Sequence, residues 1–177
     1  MKAFICFSIL LYSAQCLFSQ KFTLEKSTVS FYSDAPMEAI KAENLKSASL
    51  FNMTTGDIVF SIPIADFEFE KDLMKKHFNE KYLESEKYPK ATFQGKIIGF
   101  KTDVNGEQET SAKGKLTMHG VTKEIEVQGI IDLTNNKPHI KANFKIHIAD
   151  YNIKIPQLLW KNIAEEVEVK VEFNYKP

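Results

Sequence analysis

An all-β fold, a closed antiparallel barrel with one short helix acting as plug or lid, is what the sequence predicts. Three observations predict it. Apolar and polar residues alternate over segment after segment, turn-forming residues separate many of those segments at hairpin distances, and a single stretch carries helical spacing. That is too little helix to cover a parallel sheet.

The period of two begins with Phe22 and Leu24, continues through Val29 and Phe31, and returns at Ile58, Phe60, Ile62 and Ile64. Residues 70 to 85 break it. There Asp72 is placed to cap a helix, with Leu73, Met74, His77, Phe78 and Leu83 on one face and Lys75, Lys76, Asn79 and Glu80 outward. Tyr88-Pro89 returns the chain to strand. Alternation then resumes at Ala91, Phe93, Gly95 and Ile97, at Ala112, Gly114, Leu116 and Met118, and at Ile125, Val127, Gly129, Ile131 and Leu133. Ile140, Ala142, Phe144, Ile146 and Ile148 follow, and the last strand runs through Val167, Val169, Val171, Phe173 and Tyr175. Between these segments Asn105-Gly106 reads as a two-residue hairpin turn with both residues at positive φ. His119-Gly120 and Asn135-Asn136 punctuate the next two connections, so the strands from about 90 to 149 form a meander.

Ala91, Gly95, Ala112, Gly114, Gly129 and Ala142 share the parity of the large inward residues. Such small side chains either leave open volume or let strands coil tightly. The first alternative gives an apolar lumen suited to apolar cargo. Its candidate wall is Phe31, Phe60, Ile62, Phe93, Gly95, Ala112, Gly114, Leu116, Met118, Val127, Ile131, Ala142, Phe144, Ile146, Val169 and Val171. Leu73, Met74 and Phe78 of the helix, with Trp160, are the candidate lid.

The chain has 177 residues, enough for one domain or at most two small ones, and its 23 Lys+Arg balance 23 Asp+Glu. A basic nucleic-acid binder is not expected. Every one of those basic residues is lysine, so no guanidinium fork exists to grip a phosphate bidentately. Lysine can still hold one as a point charge.

Lys2, the apolar run from Ala3 to Leu11 and the small or polar Ser19 and Gln20 follow the order of a secretory signal, with cleavage expected after Ser19. Residues 1–19 are thus a signal peptide and 20–177 the barrel domain, exported to a periplasmic or extracellular space. Both cysteines, Cys6 and Cys16, fall in the leader, leaving no disulfide framework in the mature chain. Cys16 is a poor lipoprotein acceptor because Gln15, not a small residue, precedes it.

Catalytic chemistry is not expected. His77, His119, His139 and His147 have no metal-ligand spacing; the last three read as solvated and His77 as a half-buried polar contact. No nucleophile motif or phosphate loop occurs, and the pairs Glu84/Glu86 and Glu165/Glu166 sit at element ends, where burial cannot split their pKa values. No cofactor is expected beyond a lipid or quinone as cargo.

The segment Lys113-Gly-Lys-Leu-Thr-Met-His-Gly-Val-Thr-Lys-Glu-Ile-Glu-Val127 resembles the G-x-L-T-x-x-G-V-T-K segment of the YceI-like family, exported bacterial lipid-binding proteins. Glu86-Lys-Tyr-Pro-Lys-Ala-Thr-Phe93 is similar to that family's K-Y-P-x-x-x-F, and His77-Phe78 to its helical H-L pair. The resemblance spans roughly residues 22 to 175. It implies an eight-stranded, lipocalin-like barrel holding a polyisoprenoid or quinone-type chain. Met74-Lys75 replace the family's Arg-Asp, and Ile148-Ala-Asp-Tyr-Asn152 stands where it has R-x-D-F-G; Asn152 retains access to positive φ. Ala35-Pro-Met-Glu-Ala39 replaces its glycine-containing approach to the second strand.

The expected function is therefore a non-catalytic carrier of an apolar long-chain lipid, making transient membrane contact for exchange. The alternative is a filled barrel that docks on an envelope partner through residues 151–163, where Ile153, Ile155, Leu158, Leu159 and Trp160 cluster. Helix as moving lid and helix as fixed plug both remain open, as does the oligomeric state.

Overall fold

The computed structural model describes residues 21–34, 39–155 and 164–177. The expected leader with Cys6 and Cys16, the lid candidate Trp160 and most of the 35–39 segment lie outside these residues. The chain forms β1 (Lys21–Ser33), β2 (Ile40–Asn44), β3 (Ala48–Asn52), β4 (Asp57–Pro63), β5 (Glu68–Phe69), α1 (Asp72–His77) and β6 (Lys90–Ile98). The strands β7 (Glu107–Met118), β8 (Val121–Asp132), β9 (His139–His147) and β10 (Glu166–Lys176) complete it.

Every neighbouring pair is antiparallel, and β1 pairs with β10 on one edge and with β2 and β3 on the other, which closes the wall. One register runs through both halves of that second edge, with Phe22 opposite Phe51 and Val29 opposite Asn44. Strands β2 and β3 are thus two halves of one stave; β4 and β5 make the next by following each other along β3 and β2. Ten strand segments therefore form an eight-stave barrel. The meander from β6 to β9 is where the alternation places it.

The sequence reading gives 40–52 no strand, although Ile40 and Ala42 alternate with Lys41 and Glu43. Asn44 explains the interruption. Its side chain is fully buried; Nδ2 donates to the Pro63 carbonyl at 2.8 Å, while Oδ1 accepts from the Lys46 N–H at 2.8 Å and the Ser47 hydroxyl at 3.2 Å. This local turn uses backbone groups that a continuous ladder would otherwise pair.

One expectation about turns is corrected. The tight hairpin is His119-Gly120, at φ +51° and +75° between paired Met118 and Val121, the positive pair that such a two-residue turn requires. At Asn105-Gly106 only the glycine has positive φ. The connection there is a longer loop held by Gln108, whose Nε2 donates to the Lys101 and Val104 carbonyls at 2.9 and 3.0 Å and whose Oε1 accepts from the Lys101 N–H at 2.8 Å. Asn152 does adopt positive φ, +56°.

The helix is shorter than its spacing suggests, and Asp72 is its first residue instead of its cap; Lys71 holds that place without a side-chain capping bond. Beyond His77 the chain widens into a π turn over Phe78–Tyr82, closed by Leu83 N–H donating to the Phe78 carbonyl at 2.8 Å. Leu73 points outward and is 63% exposed, so it is not part of a lid over the lumen. The apolar face it was assigned to narrows because the α-helical part lasts only 6 residues.

Candidate ligand-binding cavity

The interior is not uniform along the barrel. Where β1 begins and β10 ends, Phe22, Phe51, Ile97, Ile131, Phe173 and Tyr175 are all buried and fill the lumen. Phe51 packs on Tyr175 at 5.8 Å between ring centroids, and Phe60 on Phe173 at 5.5 Å. Burial pushes the Tyr175 phenol up, partly offset by its 2.6 Å hydrogen bond with the Ser49 hydroxyl. That end is solid.

At the other end lies a cavity of about 250 Å³. It takes its wall from the C-terminal parts of β1, β4, β7 and β9, the N-terminal part of β10, and the helix. Of the expected wall, Phe31, Phe60, Ile62, Leu116, Met118, Phe144, Ile146, Val169 and Val171 line it, with Met74 and Phe78 of the expected lid.

The remaining expected wall residues lie elsewhere, each for a packing reason. Phe93 stacks on Phe60, centroids 5.1 Å apart at 16°, which leaves it behind the cavity surface. Ile131 is fully buried in the solid end and Val127 is buried near it. Ala112 pairs with Ile97 on the same side. Gly95 and Gly114 face each other across β6 and β7, and a Cβ on Gly114 would meet the Gln94 carbonyl oxygen at 2.4 Å and Gly95 Cα at 2.5 Å. Their missing side chains are occupied by neighbouring backbone, so the open-volume reading fails at these positions and the tight-coiling one holds. Ala142 sits opposite Gly129, beside a shallow surface groove instead of the cavity.

Sequence reasoning passed over several wall residues. Ile64, Ala91, Ile148 and Val167 shared the inward parity but were not selected, while the Phe67-Glu68-Phe69 alternation was a visible signal left unread. Ile40 could not be found without β2, nor Tyr82 without the π turn.

The helix is fastened by aromatic packing. Phe78 lies 5.0 Å from Phe69, 5.5 Å from Phe67 and 5.5 Å from Phe31, centroid to centroid, the last nearly parallel at 18°. Such pairs contribute about 0.5–1.5 kcal/mol each beyond area burial. Ile153, assigned to the docking loop, is buried and also lines the cavity, and Tyr151 is buried with it. Leu158, Leu159 and Trp160 of that loop lie outside the described residues.

His119 is not solvated. Its side chain is 10% exposed, with Nδ1 2.9 Å from the Tyr151 carbonyl oxygen and Nε2 2.9 Å from Glu84 Oε2, and its ring lies edge-on to Tyr88 at 4.6 Å. Each of the three segments that it joins carries cavity residues next to the contact: Met118, Leu83, and Ile148 with Ile153. His119 thus clasps the hollow end. His139 pairs with Glu172 at 2.8 Å, and His147, 64% exposed, lies 3.3 Å from Glu166.

Among the described residues, no Lys, Asp or Glu lines the cavity. Among the described residues no group of His, Cys, Asp or Glu could hold a metal, and no helix is long and apolar enough to cross a membrane.

The family model for the YceI-like domain matches residues 18–175. The chain belongs to the YceI-like family. Similar solved structures include a polyisoprenoid binding domain from Saccharophagus degradans, 17% identical, covering 88% of this chain and 97% of that one with a TM-score of 0.76. BcnA of Burkholderia cenocepacia is 19% identical, covers 85% and 96% of the two chains, and gives a TM-score of 0.71. The YCEI protein of Campylobacter jejuni is 17% identical with full coverage of both chains and a TM-score of 0.52. No curated protein matches the sequence. At these identities the likeness is one of fold, and in this YceI-like barrel it is the hollow end that offers room for a ligand.

Proposed function

We propose that this YceI-like protein is an exported, non-catalytic carrier that holds an apolar long-chain lipid, of polyisoprenoid or quinone type, in the hollow end of its barrel. One observation carries the reading: a cavity of about 250 Å³ walled almost entirely by hydrocarbon, with no Lys, Asp or Glu among its described lining residues. Burying apolar surface is favourable by about 25 cal/mol per Å², so a tail gains affinity from wall contact alone. The polyisoprenoid binding domain of Saccharophagus degradans, with the same fold, supports the ligand class.

Export is supported by the leader-like order of residues 1–19. For transient membrane contact the support is Leu73, exposed on the helix beside Lys75 and Lys76. Solvent extraction of the native purified protein followed by mass spectrometry tests the carrier reading. Recovery of a stoichiometric isoprenoid or quinone is the expected result; absence of lipid together with no uptake of added isoprenoid quinone would refute it.

A further inference from the structure

One seam of the barrel wall is laddered over only part of its length. β8 and β9 pair from Gly129–Asp132 against His139–Ala142, although β8 begins at Val121 and β9 runs on to His147. At Gly129 the two strands are still tight, since a Cβ there would meet the Lys141 carbonyl oxygen at 2.6 Å. Beyond it no register pair joins residues 124–128 to 143–147, a gap roughly 16 Å long at a strand's rise per residue. The far end of the gap is held by ties of other kinds: Lys123 Nζ lies 3.6 Å from Asp150 Oδ1, and His119 bonds the Tyr151 carbonyl.

The side chains along β8 show that this gap opens on the lumen. Inward parity there runs through Ile131, Val127, Ile125 and Lys123, and burial falls away along it: Ile131 and Val127 are buried, Ile125 is half-buried and Lys123 is exposed. Lys123 pairs with the cavity residue Leu116, so it stands on the inner face of β8 and still reaches water. In a closed wall that ammonium would be stripped of water against hydrocarbon, which is prohibitively costly. On the other lip Phe144 and Ile146 line the cavity and are themselves only half-buried.

Size makes the gap matter. An apolar cavity of about 150 Å³ holds one benzene ring, so about 250 Å³ holds roughly ten carbons of a chain. A long chain therefore has to leave the cavity. The packing of Phe51, Phe173 and Tyr175 blocks the solid end. Staying in the mouth would displace Phe78 from Phe31, Phe67 and Phe69, whereas the gap has no ladder to break. Building on the carrier reading, we propose that the hollow end grips only one end of a long apolar chain, and that the remainder leaves sideways through the β8–β9 gap. Ile125 and Val127 on one lip and Phe144 and Ile146 on the other give the departing chain apolar contact, which adds affinity in proportion to the area buried. Cavity volume then sets no upper limit on cargo length.

The test uses the purified, delipidated protein and two photoreactive methyl stearates, one with a diazirine near the methyl end and one with it near the carboxyl end. After illumination, mass spectrometry maps the crosslinked residues. One probe is expected to label residues 124–128 of β8, and the other the cavity wall around Phe31 and Leu116. A second measurement compares geraniol with geranylgeraniol, which is twice as long, in titration calorimetry. Ile125→Trp, which fills the gap, should weaken geranylgeraniol roughly tenfold and leave geraniol unchanged. Unchanged geraniol binding also shows that the variant keeps its fold. Crosslinks from both probes confined to the cavity, crosslinks of either end at residues 40–42 and 68–74, or an unchanged ratio between the two alcohols would overturn the side exit while leaving the carrier reading in place. Failure of all four compounds to bind the wild type would overturn both.

Discussion

Phe22, Phe51, Phe173 and Tyr175 at one end of the barrel are each at most 3% exposed, whereas Phe31, Phe60 and Phe144 toward the other remain only half-buried around empty space. Both sets sit on strands with the same inward alternation. What separates them is what stands opposite. At the solid end β3 brings Phe51 against Tyr175, while at the hollow end the wall continues into β5 and the helix, which roof the space without filling it. The small residues do not locate the void, since backbone and Phe93 take up the volume missing at Gly95 and Gly114.

The largest effect should come from removing a ring at each end in turn. Phe173→Ala is expected to cost about 3–5 kcal/mol in urea unfolding, as for a fully packed aromatic. Phe144→Ala should cost about half of that or less, because its ring already borders a cavity; equal losses would erase the distinction between the ends.

Gly114→Phe is expected to destabilise by about 1–3 kcal/mol or more through backbone collision, yet to leave lipid content per folded molecule unchanged. Lost lipid with intact stability would restore Gly114 to the lumen. His119→Ala should cost about 1–3 kcal/mol by leaving the Tyr151 carbonyl without its imidazole partner and opening the packing on Tyr88. Amide exchange should then quicken in residues 83–88 and 148–153 while Phe173 and its neighbours stay protected. Met118→Phe, which adds volume where there is room, should change stability by about 1 kcal/mol or less and lower the copurifying lipid.

The smallest effect is electrostatic and lies outside the barrel wall. Hydrogen bonds from Lys145 to Glu166 and from Asn143 to Glu168 hold both carboxyls below the ordinary glutamate range. A lowered native pKa stabilises the fold above the ordinary value, and that contribution fades as pH falls through the native one. Unfolding midpoints measured on acidification should drop slightly less in Glu166→Gln than in wild type.

Much of the wall was legible because a strand's period of two is insensitive to its surroundings: Leu116 and Met118 point inward whatever they meet. Where the cavity ends was not legible, because it depends on which rings face each other across the lumen, as Phe60 and Phe173 do. The interrupted staves were hidden for another reason. Residues 40–52 carry a polar Asn44 at an inward position, and only the tertiary partner Pro63 reveals that this asparagine belongs there. His119 was read as solvated because a turn usually is; its partners come from 35 and 32 residues away.

The two interrupted staves bear on the residence time of a cargo. β1 is joined to β10 over its length and to β3 at the solid end, while the ladders of β2 and β5 amount to five register pairs on β1 and two between themselves, with the Asn44 bond to Pro63 as a further tie. Together with the helix they make a flap hung on the hollow end, carrying Ile40, Phe69 and Phe78 on its inner side. Swinging that flap outward breaks a few ladder bonds and the Phe31 cluster but leaves the solid end and its seams intact. On the proposed carrier reading, loading and release would need only this local opening and not global unfolding, so a tightly folded barrel need not be a slow one to fill.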